Sequence, residues 1–270
     1  MRGLTIVRVA LFGLLVIAAL AAAAGVALYF NQQNIFYPAP RDYPRGSLPG
    51  YAIVHTETSD GLRLKALYRA AQPGRRTIVF FHGNGDSLAG AAEAMRGLAA
   101  NGNGALLVEY RGYGGNPGSP GEAGFYRDGE AAMRWLASEG VAASQTIIAG
   151  NSIGSGPATE MATRHPVAAL ILVSGFSSLP DVAGAHVRWL PVRWLVRDRF
   201  ANAKKIGAVE GDVLIVHGDR DNVVPVANAR RLHAACPRST LTIVPGAGHE
   251  LAYSDAAQEL IADWVNRLPD

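Results

Sequence analysis

The sequence predicts an open, mostly parallel α/β sheet with helices on both faces, fronted by an antiparallel hairpin and preceded by one transmembrane helix. Three observations carry this reading. Short apolar runs bounded by glycine alternate with segments long enough to be crossover helices, the pattern of buried parallel strands joined by helices. Two alternating segments precede them, joined by Ser59-Asp60-Gly61, which supplies the turn chemistry of a hairpin. The stretch Val9 to Phe30 holds 22 residues without a charge.

At about 1.5 Å per residue that stretch rises roughly 33 Å, enough to cross the hydrocarbon of a bilayer. A cleaved signal peptide is the rival reading, because Ala21 to Ala24 offers A-x-A sites, but a signal core usually runs only about 7 to 15 residues. Tyr29, Phe30, Phe36 and Tyr37 resemble an interfacial aromatic belt, or else the apolar end of a helix meeting a domain. Arg2 and Arg8 precede the stretch, while Arg41 and Arg45, offset by Asp42, follow it. That bias places the N-terminus inside and the rest outside the cytoplasm, with a secreted or periplasmic product as the alternative if the segment is cleaved. The expected division is an anchor over 1–33 and a catalytic domain over 34–270, with a cap region over 176–212.

Residues 38–50 hold four prolines and two arginines without periodicity and read as a linker. Tyr51 to Thr58 and Leu62 to Tyr68 form the hairpin. The buried strands follow at Thr77 to Phe81, Ala105 to Tyr110, Thr146 to Ala149, Ala168 to Val173, Val213 to Val216 and Leu241 to Val244. Helices are expected over 87–100, 122–139, 153–164, 225–235 and 254–267.

Composition excludes several classes. The single Cys236 rules out an intramolecular disulfide framework and a cysteine-based zinc cluster. A chain 49% hydrophobic and 17% charged is not a disordered one. The net charge of +3 owes two of its charges to Arg2 and Arg8, so the remainder is nearly balanced and no nucleic-acid partner is expected. No metal or nucleotide motif is present, and no cofactor is expected.

In such a sheet ligands bind at the carboxyl ends of the strands. There stands Gly150-Asn151-Ser152-Ile153-Gly154, a G-x-S-x-G nucleophile elbow between a strand and a helix. A serine hydroxyl needs a base, and His249, in the turn Gly246-Ala247-Gly248-His249 after the last run, is the best placed of seven histidines. His82 and His217 read as packing or loop-fixing groups. The base needs an acid on its other nitrogen; Asp219 and Asp221 both follow the Val213 to Val216 run, and Asp221, further out, is preferred. The oxyanion hole is assigned to the backbone N–H groups of Ile153 and Asn84, with Gly85 as runner-up for the second. Gly83, Phe176, Trp189 and Trp194 are the expected substrate-binding residues. His186 to Phe200 reads either as an amphipathic cap at the membrane or as a cap packed on the domain with solvated arginines.

With these residues on the page, the chain resembles the α/β-hydrolase superfamily, and within it the Bem46-like group that includes the ABHD13-type and ABHD17-type proteins. The resemblance rests on Phe80-Phe81-His82-Gly83-Asn84-Gly85, Tyr110-Arg111-Gly112-Tyr113-Gly114, Gly150 to Gly154, His217-Gly218-Asp219-Arg220-Asp221 with Val224-Pro225, and Gly246 to His249. The order Ser152, Asp221, His249 is the order of that superfamily. The resemblance assigns the acid to Asp221 and implies an N-terminal membrane anchor. Glu109 stands where relatives often carry Asp, Asn116-Pro117 replaces a small-residue pattern, and the N-terminal cysteine cluster of ABHD17-type proteins is missing. The expected activity is cleavage of a carboxylic ester or thioester of a small or lipid-like acyl substrate through an acyl-enzyme on Ser152. A serine peptidase or amidase on the same fold, and a non-catalytic binding module, are the alternatives.

Overall fold

A computed structural model describes residues 2–39, 48–187 and 191–269, with side chains from residue 6 onward. Helix α1 (Arg2–Phe36) is continuous. Its most apolar 18 residues have a mean hydropathy of 2.6, and none of them is buried in protein. Most of the proline-bearing linker, including Arg41, Asp42 and Arg45, lies outside the described residues.

Strands β1 (Ala52–Glu57) and β2 (Arg63–Arg69) form the expected hairpin. Then come β3 (Thr77–Phe81), α2 (Leu88–Ala94), α3 (Arg96–Ala100), β4 (Gly104–Val108), α4 (Glu122–Ser138), β5 (Thr146–Asn151), α5 (Ser155–Arg164) and β6 (Ala169–Val173). The chain continues through α6 (Leu179–His186), α7 (Val192–Leu195), α8 (Asn202–Lys205), β7 (Asp212–Gly218), α9 (Ala227–Ala235), β8 (Thr240–Val244) and α10 (Asp255–Val265). The eight strands lie in the order β1-β2-β4-β3-β5-β6-β7-β8, antiparallel as far as β4 and parallel from β4 to β8.

The expected helix over 87–100 is broken at Met95. Gln258 of α10 reaches into the break, accepting from the Gly97 N–H at 3.0 Å and donating to the Glu93 carbonyl at 3.0 Å. A side chain that takes over ladder groups in this way is a recognised cause of helix kinks.

Alternation along the strands builds two cores. Val79, Phe81, Ile148, Leu170 and Ile215 face α4, α5 and α9, while Ile78, Phe80, Ile147, Ile171 and Leu214 face α2, α3 and α10. Each such side chain contributes about 1.5–3 kcal/mol by leaving water. The strand order reverses at β3, which has β4 on one side and β5 on the other. At that switch point the carboxyl ends of β3 and β5 lie side by side, with Phe81 opposite Gly150, and a crevice opens there for ligand.

Candidate active site

Immediately after β5, Ser152 has φ +51°, a left-handed conformation that costs a residue with a side chain about 1–2 kcal/mol. Its flanking glycines make the turn possible. A Cβ at Gly150 would come within 2.5 Å of the Gly154 carbonyl, and one at Gly154 within 2.0 Å of the Phe81 carbonyl. The hydroxyl of Ser152 lies 3.0 Å from Nε2 of His249, and Nδ1 of His249 lies 2.8 Å from Oδ2 of Asp221. The three residues singled out in the sequence are therefore brought together. With a carboxylate accepting at Nδ1, the proton belongs on Nδ1 and Nε2 is left to accept from the serine.

Asp221 is buried, and its other oxygen accepts from the N–H groups of Val223 at 2.9 Å and Val224 at 2.7 Å. Burial pushes its carboxyl upward, but the hydrogen bond from His249, that from the Val224 N–H and the charges of His249 and His217 outweigh it. The net value is lowered, so the group is held as the anion. Asp219 has a different task, accepting from the Gly246 N–H at 2.7 Å and so tying the loop after β7 to the loop after β8. His217 is fully buried and bonds the Val224 carbonyl at 2.8 Å; burial lowers its pKa and keeps it neutral. His82, also fully buried, bonds Glu109 and the Gly83 carbonyl, both at 2.8 Å. Both histidines fasten loops, as their positions before glycine suggested.

The loop after β3 is braced from the next strand end. Tyr110 donates to the His82 carbonyl at 2.8 Å and Tyr113 donates to the Asn84 side chain at 2.7 Å. Asn116 accepts from the Lys65 N–H at 2.8 Å and donates to the Glu109 carbonyl at 3.2 Å, clasping this turn to β2. The two departures from the family pattern, Glu109 and Asn116, thus hold His82 and the turn.

Two cavities meet at Ser152. One, of about 410 Å³, has Asn84, Ile153, Phe176 and His249 at its inner end and is otherwise almost wholly apolar. Phe176 is set by Asn202, which donates to its carbonyl at 3.0 Å. The other, of about 280 Å³, is polar and is lined by Gly83, Asn84, Asp86, Asn151, Glu250 and Tyr253. At Gly83 an added Cβ would be in ordinary contact with that of Ser152 at 3.7 Å and tight against Asn151 Nδ2 at 3.1 Å.

One expectation fails. Trp194 is 89% exposed and does not line either cavity. In the single turn of α7, Val192 and Leu195, three residues apart, face the cavity and turn Trp194 outward. Trp189 lies outside the described residues. The sequence reading missed Leu28, Gln32, Ile35 and Phe36 of α1, which also line the apolar cavity. Their signal was the helical spacing of Leu28, Gln32, Ile35 and Phe36, which keeps one face going past Phe30, the last residue of the apolar run. Among the described residues no group of three or more His, Cys, Asp or Glu is placed to hold a metal ion.

Comparison with known proteins gives consistent matches. A family model described as serine aminopeptidase, S33 matches residues 72–203, and one described as TAP-like protein matches residues 184–268. The chain is 36% identical over 241 residues to an uncharacterized protein of Mycobacterium tuberculosis, covering 86% of each. It is 32% identical over 231 residues to alpha/beta hydrolase domain-containing protein 17C of Xenopus tropicalis, covering 84% of this chain and 71% of that one. Among solved structures, an esterase of Pyrococcus furiosus superposes with a TM-score of 0.68 at 17% identity, covering 85% of this chain and 97% of its own. The esterase domain of a Rhodothermus marinus protein does so with 0.62 at 21% identity, covering 80% and 98%. These two share the fold.

Proposed function

The chain belongs to the ABHD17-type group of the α/β-hydrolase superfamily, and from that premise we propose that it cleaves carboxylic esters or thioesters through an acyl-enzyme on Ser152. The observation that carries this reading is the 3.0 Å and 2.8 Å relay from the Ser152 hydroxyl through His249 to Asp221. In the first step His249 Nε2 takes the hydroxyl proton as Oγ bonds the acyl carbon. The N–H groups of Ile153 and Asn84 stabilise the oxyanion, and Asp221 holds the imidazolium. Collapse breaks the bond to the leaving oxygen or sulfur, which departs with the proton from His249. Water then gives a proton to His249 and its oxygen to the acyl carbon. The acid is released, the proton returns to Ser152 Oγ, and the chain is as it began.

The apolar lining of the larger cavity favours an acyl chain over a peptide, whose backbone amides would be buried there without partners. We extend the proposal to location. Residues 1–33 anchor the chain in a membrane as a single span, and 34–270 form the catalytic domain with its cap over 176–212. Arg2 and Arg8 favour the N-terminus inside and the domain outside. A fluorophosphonate probe tests the chemistry: wild type is expected to be labelled and to hydrolyse p-nitrophenyl esters, and Ser152→Ala to do neither. Labelling that persists on another residue would sink the assignment.

A further inference from the structure

Helix α1 is clamped to the cap, and the clamp begins inside the stretch that spans the bilayer. Gly25 lies against Leu195 of α7, a Cβ there standing 3.8 Å from Leu195 Cδ1. Gln32 donates to the Leu195 carbonyl at 2.9 Å and accepts from the Arg197 N–H at 2.8 Å. The Arg197 guanidinium stacks 4.0 Å from the ring centre of Tyr29, and Tyr37 donates to Asp198. An apolar groove continues the contact down to Ala21, with Pro191 and Leu195 as its far wall.

These positions set a depth. Phe30 ends the apolar run, with polar Asn31 to Asn34 following it, so at about 1.5 Å per residue Gly25 lies roughly 7 Å below that end and Ala21 roughly 13 Å below it. Helix α7, packed at this level, therefore lies at or below the boundary of the hydrocarbon, with the exposed Trp194 beside Leu195 facing lipid. Leu28, at the same boundary, is also a wall of the 410 Å³ cavity whose inner end is Ser152, and Ile35, 51% exposed, stands at its rim. The cavity thus runs from lipid level to the nucleophile. On the other side of Ser152 the 280 Å³ cavity is lined by the carboxyl groups of Asp86 and Glu250 and, among the described residues, by no Lys or Arg. Such a wall repels a phosphate and offers acceptors to hydroxyl groups.

We propose that the substrate is a bilayer-resident acylglycerol whose chain enters sideways along α1, past Leu28 and Ile35, and whose glycerol leaves on the Asp86 and Glu250 side. This rests on the hydrolase reading above. The bonds made and broken are those already given, with glycerol oxygen as the leaving group that takes the His249 proton.

The test uses the full chain in phosphatidylcholine vesicles, comparing a long-chain monoacylglycerol in the bilayer with water-soluble p-nitrophenyl acetate. Leu28→Trp and Ile35→Trp, two independent obstructions, are each expected to lower the ratio of acylglycerol to acetate turnover at least tenfold. Brominated phosphatidylcholine is expected to quench a component of tryptophan emission that disappears in Trp194→Phe. Lysophosphatidic acid, with the same acyl chain and a phosphate on its leaving group, is expected to be cleaved at least tenfold more slowly than the monoacylglycerol. A ratio unchanged in both obstructed variants, or no quenching at Trp194, overturns entry from the bilayer. Equal cleavage of lysophosphatidic acid, or cleavage of an S-acylated peptide on the vesicles but not of the acylglycerol, overturns the acylglycerol assignment. In each of these cases Ser152-dependent acetate hydrolysis leaves the hydrolase reading standing, whereas hydrolysis of no ester by wild type removes that reading itself.

Discussion

Asp221 and His249 stand on loops fastened at several points: inside by Val223 and Val224 on one carboxylate oxygen and His217 on the Val224 carbonyl, and at the surface by Asp219 across to Gly246. The opposite end of the apolar cavity is walled by α6 and α7, of eight and four residues, and by the end of α1. There the ties run through exposed or half-buried side chains, such as Gln32 to Leu195 and Arg193 to Asp181. The difference separates two demands. Proton transfer tolerates little displacement of its groups, so they are set on strand ends. The acyl chain proposed above would be recognised by apolar area, which short helices of modest stability supply.

The largest effect is expected where the fastened half is altered without being unfolded. Asp221→Asn keeps an acceptor for Val223 and Val224 but favours the wrong tautomer of His249, and kcat for p-nitrophenyl butyrate should fall by about 10⁴. A fall below tenfold would mean that the carboxylate does not orient the base. Next is Gly154→Ala, whose methyl would meet the Phe81 carbonyl at 2.0 Å. Denaturant unfolding should show a loss of about 3 kcal/mol or more, with probe labelling of Ser152 lost alongside. Asp219→Ala removes the side-chain tie between the loops that carry Asp221 and His249, leaving the Arg220 N–H bond to the Ala247 carbonyl, and should lower kcat about tenfold for about 1 kcal/mol of stability; equal kcat would show that Asp221 and His249 are aligned without it.

Stability against pH probes the same half. Burial pushes the His82 imidazole down, but the charge of Glu109 and its hydrogen bond outweigh this, and the value lies above the ordinary 6.5. The raised value means that the pair's contribution is whole below about 6.5 and is lost as pH rises through the folded-state value. Urea unfolding of wild type should weaken over that window, and His82→Gln should flatten the slope. The smallest effect belongs to the cap: Trp194→Ser, at an exposed position, should change stability by less than about 0.5 kcal/mol.

Why one half was legible and the other was not follows from chain locality. Ser152, Asp221 and His249 each come just after an apolar run, and glycines mark the turns, so a strand end identifies them one at a time. The same holds for the sheet, whose two-sided apolar runs at Thr77 to Phe81 and Val213 to Val216 became β3 and β7 within two residues. The cap lacked such punctuation. A single helical turn such as α7 has no period long enough to say which of Val192, Trp194 and Leu195 faces inward, and the largest aromatic was the wrong choice. The wall supplied by Leu28 and Phe36 is formed by residues about 150 positions from the cap they meet; a bilayer accounted for the apolarity of Leu28, and Phe36 fitted an interfacial belt as well as a helix end meeting the domain. The kink at Met95 was hidden likewise, since Gln258 lies on another helix.

The left-handed backbone of Ser152 has a consequence for what keeps this residue in place. Glycine there would relieve about 1–2 kcal/mol of strain, against about 0.5–1 kcal/mol of extra chain entropy and one lost hydrogen bond of similar size. These nearly cancel, so the fold is indifferent to the hydroxyl at its own centre. A lineage released from the need for turnover could drift from serine to glycine in a single step and remain folded. Nothing in the fold holds serine at that position, and only the proposed reaction would.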